Sequence, residues 1–297
     1  MPKACVIGGA GFLGSHVADQ LSQAGYSVCI FDRRESRWLS GSQQLVIGDV
    51  LDPEALTRVV AGADVVYNFA AVADLNDALD KAVQTVEINV LGNVHALEAC
   101  RRNSVRRFVY ASTVYVYSRQ GGFYRCSKQS AEHYVEEYQR SYGLEFTILR
   151  YGSLYGPRAD ASNGLYRIVH DALVHGSLSY LGDPEAIREY IHVDDAARAS
   201  VVALADEFRN ESVVLTGHQP IRVVDLLKML AEILGLPDAV TCRGEAYPGH
   251  YVRTPYAYQP KLGRKYAPQL HVDFGQGLLQ LIDEVRTKLT EQSPTGQ

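Results

Sequence analysis

Tyr124 and Lys128 stand four residues apart in the stretch YRCSK. On a helix that spacing puts both side chains on one face, about a turn apart. An ammonium beside a phenol favours the phenolate and draws its pKa down toward a usable range. A tyrosine so tuned can take the proton of a hydroxyl while hydride leaves the same carbon. Ser112 and Thr113 close the preceding apolar run, RRFVYAST, and their hydroxyls can hydrogen-bond the same group. Taken alone, Y-x-x-x-K is common on solvated helices, so its meaning rests on what surrounds it.

A second set of residues lies at the start of the chain. Gly8, Gly11 and Gly14 fall in VIGGAGFLGSH, after an apolar run and at the opening of a helical pattern. Gly8 permits a tight turn and Gly11 a close backbone approach to a pyrophosphate. Gly14 lets the helix pack closely on its strand, and the helix N-terminus, at Phe12 and Leu13, faces the anion. Asp32 ends the next apolar run, 18 residues after Gly14, placed to accept hydrogen bonds from an adenosine ribose. Its charge repels a 2′-phosphate, which favours NAD over NADP; Arg33 and Arg34 follow it and are of the type that holds such a phosphate.

Short strand-like runs alternate with helical stretches around these residues. KACVIGG, SVCIFD, QQLVIGD, ADVVYNFAA, RRFVYAST and EFTILRYG read as six strands. Between them lie a helix closed by Gly25, one with Asp52 as N-cap and Pro53 at N1, a long one over about 82–101, and one over KQSAEHYVEEYQRSYG. Such alternation predicts an α/β, doubly wound parallel sheet. After Gly152 the alternation loosens: LYGPRADASNG reads as a loop, RVVDLLKMLAEILG as an amphipathic helix, GEAYPGHYVRTPYAYQP as a loop, and about 275–289 as a last helix before a frayed tail. His192 reads as a structural residue at a domain junction, and Asp194 and Asp195 as caps of the helix that follows.

Composition narrows the function classes. The net charge is -5 with no long basic run, which argues against nucleic acid as a partner. The five cysteines are scattered, with no pair close in sequence and no zinc spacing, so neither a disulfide framework nor a metal site is expected. No secretory h-region opens the chain, and no apolar run approaches the ~18 residues of a membrane span. The expectation is a cytoplasmic protein. The 19 tyrosines can stack on carbohydrate, though most are expected to be ordinary core and surface residues, and Cys126 reads as a spectator beside the Y-x-x-x-K face.

Taken together, GGAGFLGSH, Asp32, GDV (48–50), NFAA (68–71), Asn89, YRCSK, LRYGSLYGPR and REYIHVDDAARA resemble the extended short-chain dehydrogenase/reductase family, in its nucleotide-sugar epimerase/dehydratase branch, over most of the chain. The resemblance implies a Rossmann domain over 1–152 with a return segment near 183–216, and a smaller C-terminal α/β substrate domain from 153–182 and 217–297. It implies that Asp49 and Val50 lie near the adenine, that Ala70, Ala71 and Asn89 line or support the cofactor groove, and that Thr113, Tyr124 and Lys128 form the catalytic set. Lys128 also contacts the nicotinamide ribose. It implies a homodimer through the helices around 82–101 and 127–142.

Dehydratases of the branch carry Thr-Asp-Glu where this chain reads Thr113, Val114, Tyr115, so elimination lacks its acid and base here. The resemblance therefore points to a C4 epimerase of nucleotide sugars, with NAD as a retained cofactor. Three departures bear on the substrate. Ten residues separate Thr113 from Tyr124, where relatives have a longer loop; Ser153 stands where the family often has asparagine; and Tyr247 and His250 replace an arginine and an aspartate. Arg243 or Arg253 can stand in for that arginine, and Arg188 matches another family arginine, so Ser153, Arg188 and Arg253 are the expected substrate contacts. Two other readings stay open. A 4-keto-sugar reductase would consume NAD(P)H stoichiometrically, and a non-catalytic NAD(P) sensor would be expected to lack the Tyr or Lys.

Overall fold

The computed structural model describes residues 1–236, 240–243 and 251–255. Met1–Gln259 forms one compact unit; the second, Pro260–Gln297, with the expected helix near 275–289 and the tail, lies outside the described residues.

The first half alternates as its sequence predicts. It runs β1 (Lys3–Ile7), α1 (Phe12–Gln23), β2 (Ser27–Asp32), β3 (Gln44–Ile47), α2 (Pro53–Val59), β4 (Val65–Asn68), α3 (Leu75–Asp80), α4 (Ala82–Val86), a π turn (Glu87–Leu91), α5 (Gly92–Arg102), β5 (Arg107–Thr113), α6 (Gly122–Tyr142) and β6 (Glu145–Tyr151). Asp52 caps α2 by accepting from the Ala55 amide at 2.9 Å, with Pro53 opening the helix. The second half runs β7 (Ser153–Tyr155), α7 (Gly164–His175), β8 (Leu178–Leu181), β9 (Ile187–His192), α8 (Val193–Val202), β10 (Glu211–Leu215), β11 (Pro220–Arg222), α9 (Val223–Leu234) and β12 (Val240–Arg243).

Seven strands form one parallel sheet in the order β10-β6-β5-β4-β1-β2-β3. The order reverses between β1 and β4, the switch point at which open α/β sheets bind ligands. Alternate residues of each strand face opposite ways, and each face has its own core. Cys5, Ile7, Phe31, Val66, Phe108, Tyr110 and Ile148 pack with Leu56, Leu97, Cys100, Ala131 and Val135 from α2, α5 and α6. Ala4, Val6, Ile30, Val65, Tyr67, Val109 and Leu149 pack with Val17, Ala18, Leu21, Ala196 and Ala197 from α1 and α8. Continuous burial on both faces is why these strands read as apolar runs rather than alternating ones.

Beyond β6 the chain builds smaller pieces. β7 and β11 flank β9, in parallel and antiparallel fashion, and β8 pairs with β12 in parallel. Ala172, Leu178, Ala186, Val223, Leu227 and Ala231 form a separate small core. α3, α7, β8 and β9 fall in stretches that the sequence reading left unassigned. α7 does carry ordinary signals: Asn163 accepts from the Tyr166 amide at 3.0 Å, and Gly176 ends the helix in the left-handed conformation. The caps expected of Asp194 and Asp195 are corrected. His192 is the N-cap of α8, its ring taking the Asp194 amide at 3.3 Å, and both aspartates sit in the first turn. Asp194 instead meets His16 Nδ1 at 2.8 Å, tying α8 to α1. Among the described residues no helix is long and apolar enough to cross a membrane, and no cluster of three or more His, Cys, Asp or Glu could hold a metal.

Candidate active site

The glycine turn sits at the C-terminal end of β1, at the switch point. Gly8 has φ +78°, and a Cβ there would lie 2.6 Å from the Ala70 nitrogen in the segment after β4. A Cβ on Gly14 would lie 2.4 Å from the Gly8 oxygen, so the helix reaches the turn only because both lack side chains. Gly11 caps α1 and brings no side chain to the first-turn amides at Phe12 and Leu13. That leaves a helix N-terminus suited to an anion. Asp32, at the end of β2, receives the Ala10 amide at 3.0 Å and the Arg34 amide at 3.1 Å, one on each oxygen. Both oxygens keep further acceptor capacity. Arg33 lies exposed just beyond it. Asp49 accepts from the Leu51 amide at 3.0 Å, and Val50 is buried against Gly92. The turn, the uncapped helix start and the strand-end carboxylate fit a dinucleotide.

The opposite wall is the segment 68–72. Asn68 takes the Ala70 amide at 3.1 Å and donates to Asn93 at 2.9 Å. Asn89 pairs with Val72 as a neighbouring strand would: it accepts the Val72 amide at 2.7 Å and donates to the Val72 carbonyl at 3.0 Å. It also donates to Ser127 Oγ at 2.9 Å, and Ser127 donates on to the Tyr124 carbonyl at 2.8 Å. Asn89 lies inside the π turn, where the helix takes an extra residue per turn. One buried amide thus links Val72, at the end of this wall, to the helix that carries Tyr124.

Thr113, Tyr124 and Lys128 converge where β5 ends and α6 begins. Thr113 Oγ1 accepts from the Tyr115 amide at 3.3 Å and its hydroxyl bonds the Tyr124 phenol oxygen. Lys128 is buried; its Nζ donates to the Ala111 carbonyl at 2.7 Å and stands 4.8 Å from the Tyr110 ring centre and 5.8 Å from that of Tyr124. The expected lowering of the Tyr124 pKa is corrected here. Burial pushes the phenol up to about 12, only partly offset by the Thr113 hydrogen bond. Burial likewise brings Lys128 down to about 7, with Glu132 pulling the other way. Desolvation of both groups outweighs the attraction between them that the spacing suggested.

Beneath this corner lies a pair that the sequence reading missed. Arg150 on β6 holds Glu132 on α6 through two bonds of 3.0 and 2.7 Å, with both residues buried. Ser112 donates to the same carboxylate, and Arg150 also bonds and stacks on Tyr117. Ser112 therefore reaches Glu132, while Thr113 reaches the phenol. A signal was present in the chain: Tyr124, Lys128 and Glu132 repeat at four-residue steps along one helix face.

Two of the three expected substrate contacts, Arg188 and Ser153, meet Tyr251. Arg188 is buried on β9, its guanidinium 4.5 Å from the Tyr251 ring centre. Ser153 Oγ lies 3.5 Å from the Tyr251 hydroxyl. Tyr115 packs between Tyr251, at 4.8 Å, and Tyr124, at 6.3 Å. Arg253 is exposed, its backbone bridged to Ile187. Tyr247 and His250 fall outside the described residues, as does the side chain of Arg243.

Residues 4–215 match the family model of the NAD dependent epimerase/dehydratase family. The dTDP-glucose 4,6-dehydratase of Mycobacterium tuberculosis is 30% identical over 323 residues, covering 95% of this chain and 92% of its own. The UDP-glucose 4-epimerase of Streptomyces lividans is 27% identical over 302 residues, covering 88% and 90%. Among solved structures, UDP-glucose 4-epimerase from Thermotoga maritima with UDP-glucose superposes with a TM-score of 0.79 at 26% identity, over 97% of this chain and 99% of that one. The Thermus thermophilus UDP-glucose 4-epimerase complex with NAD gives 0.77 at 26% identity, over 88% and 95%. With its glycine turn, strand-end aspartate and Tyr-Lys helix, the chain belongs to the NAD dependent epimerase/dehydratase family, and is an enzyme whose cofactor is NAD.

Proposed function

We propose that the chain is a nucleotide-sugar epimerase acting at C4 of the sugar, with Tyr124 as the base. The carrying observation is the Thr113–Tyr124–Lys128 corner, with Val114 and Tyr115 after Thr113 in place of the Asp-Glu carboxylates that serve elimination in dehydratases. When bound, NAD accepts and returns a hydride and, in its oxidised form, brings positive charge. Thr113 holds the phenol oxygen and orients the sugar hydroxyl toward it. Tyr124 takes that proton and gives it back, so the hydroxyl can be remade on either face. Protonated Lys128 favours the phenolate and meets the cofactor ribose. Gly8, Gly11, Phe12, Leu13 and Gly14 cradle the pyrophosphate, and Asp32 the adenosine ribose, with Arg33 beside it. Asp49 and Val50 flank the adenine; Ala70, Ala71 and Asn89 wall the groove, and Ser112 braces it from below.

On the substrate side, Ser153, Arg188 and Arg253 face the sugar diphosphate. Ser153 and Arg253 belong to the substrate domain of 153–182 and 217–297, and Arg188 to the return, near 183–216, of the dinucleotide domain of 1–152. The likeness to UDP-glucose 4-epimerases, one of them solved with UDP-glucose, supports this reading. α3, α4 and α6 expose Leu79, Val83, Val86, Tyr134 and Tyr142, which supports a homodimer through these helices.

The test is to denature freshly purified protein, identify any released nucleotide by mass spectrometry, and screen UDP-, GDP-, CDP- and dTDP-sugars for epimerisation. Near-stoichiometric NAD with interconversion of a C4 pair supports the reading. An empty protein that oxidises added NADPH with a keto-sugar would replace it with the reductase.

A further inference from the structure

Cys5 and Cys29 lie 24 residues apart in sequence, and the fold makes them partners. They stand directly opposite one another on β1 and β2. Two steps along each strand, Ile7 and Phe31 lie in the core facing α2, α5 and α6, so both thiols share that face. The Cys29 sulfur also lies 4.0 Å from the Ile30 carbonyl, within its own strand. Neighbouring strands run about 4.8 Å apart, inside the Cα window of a disulfide. Side chains on paired parallel strands project side by side, so their Cβ atoms lie roughly an ångström wider than a disulfide favours. A bond here draws the strands together and is correspondingly easy to reduce.

We propose that Cys5 and Cys29 form a reversible disulfide on exposure to hydrogen peroxide, Cys29 reacting first and Cys5 resolving it. Cys29 is partly exposed whereas Cys5 is buried, so an oxidant meets Cys29. The neighbouring Cys5 thiol draws the Cys29 pKa down, while Cys29 and burial hold the Cys5 thiol up. Cys29 thiolate attacks the peroxide O–O bond, giving a sulfenic acid and hydroxide. The Cys5 sulfur then attacks the sulfenic sulfur, and water leaves with the Cys5 proton. Two thiols and one peroxide yield one disulfide and two waters. The nearby Cys100 is buried and held protonated by its surroundings, so it does not compete.

The pair lies three residues before Gly8 on one strand and three before Asp32 on the other, where Gly8 N–H donates to the Phe31 carbonyl at 2.8 Å. Drawing β1 and β2 together shifts the turn against the carboxylate, so the oxidised form binds NAD more weakly. This coupling rests on the dinucleotide site described above; the disulfide itself does not.

The experiment treats the full, reduced chain with a small excess of hydrogen peroxide, blocks remaining thiols, and maps unreduced peptides by mass spectrometry. The expected result is a Cys5–Cys29 linked pair that dithiothreitol reverses, and an NAD affinity by calorimetry several-fold below that of reduced protein. Cys5→Ala leaves Cys29 as a sulfenic acid that dimedone traps; Cys29→Ser leaves Cys5 free and the affinity unchanged by peroxide. Wild-type protein in which Cys29 overoxidises while Cys5 stays alkylatable, or in which the link joins other cysteines, overturns the proposal. A linked pair with unchanged NAD affinity overturns the coupling. Both readouts are independent of any sugar chemistry.

Discussion

Lys128 carries an amine into a place that resists its charge. Its folded pKa near 7 lies below the usual 10.5, so between those values the unfolded chain binds a proton that the folded chain does not. Stability therefore rises as pH climbs through that window, and the penalty is full below pH 7. Lys128→Met is expected to be more stable than wild type at pH 6 by an amount on the order of a few kcal/mol, the gap closing toward pH 10. Thermal unfolding of both proteins across that range checks it. The same burial keeps Tyr124 protonated in the ligand-free site, so the phenol depends on neighbouring positive charge to act as a base. Tyr124→Phe is expected to cost roughly 10²–10⁴ in turnover, with NAD affinity within about threefold of wild type. Tyr124 and Lys128 were legible in the sequence because their spacing puts them on one helix face, and Thr113 through the family resemblance. Their ionisation was not, since desolvation depends on what the fold stacks around them.

At the scale of elements, the corner rests on the Glu132–Arg150 pair that joins α6 to β6. Removing one partner leaves the other buried and uncompensated. Glu132→Ala is expected to destabilise by roughly 3–5 kcal/mol, whereas Glu132→Gln with Arg150→Met recovers most of that loss; denaturant midpoints distinguish the two. Gly14→Ala forces a Cβ against the Gly8 oxygen and the Gly9 Cα, atoms of backbone that cannot swing aside. Its cost is expected at about 1–3 kcal/mol with loss of measurable NAD binding, read by calorimetry. Apart from α3, the strands and helices of the first half were legible because most are strong apolar or amphipathic runs with their own start or stop signal, such as Asp52 or Gly25. The Glu132–Arg150 and Cys5–Cys29 partnerships were not, because they depend on strand order and helix docking. The His192 cap was hidden by two aspartates of stronger capping propensity next to it.

At the scale of the whole molecule, the exposed row of Leu79, Val83 and Val86 predicts self-association. If the proposed homodimer forms through this row, Val83→Glu with Val86→Glu is expected to give a monomer in light scattering while the far-UV spectrum stays unchanged. The smaller pieces after Gly152 were the least legible part, for a physical reason: short strands such as β7 and β11 have little periodicity and take their shape from neighbours. Yet the chain comes back. β10, at 211–215, is the edge strand of the main sheet and pairs along β6. During synthesis, then, β6 emerges long before the strand that covers it. Some sixty residues must leave the ribosome while a row of β6 amides and carbonyls waits without a partner. A chain ending at Gly152 would carry that open edge permanently and is expected to aggregate, whereas one reaching Leu215 would not. The seven-stranded sheet is thus complete only when the segment between β6 and β10 has already been made.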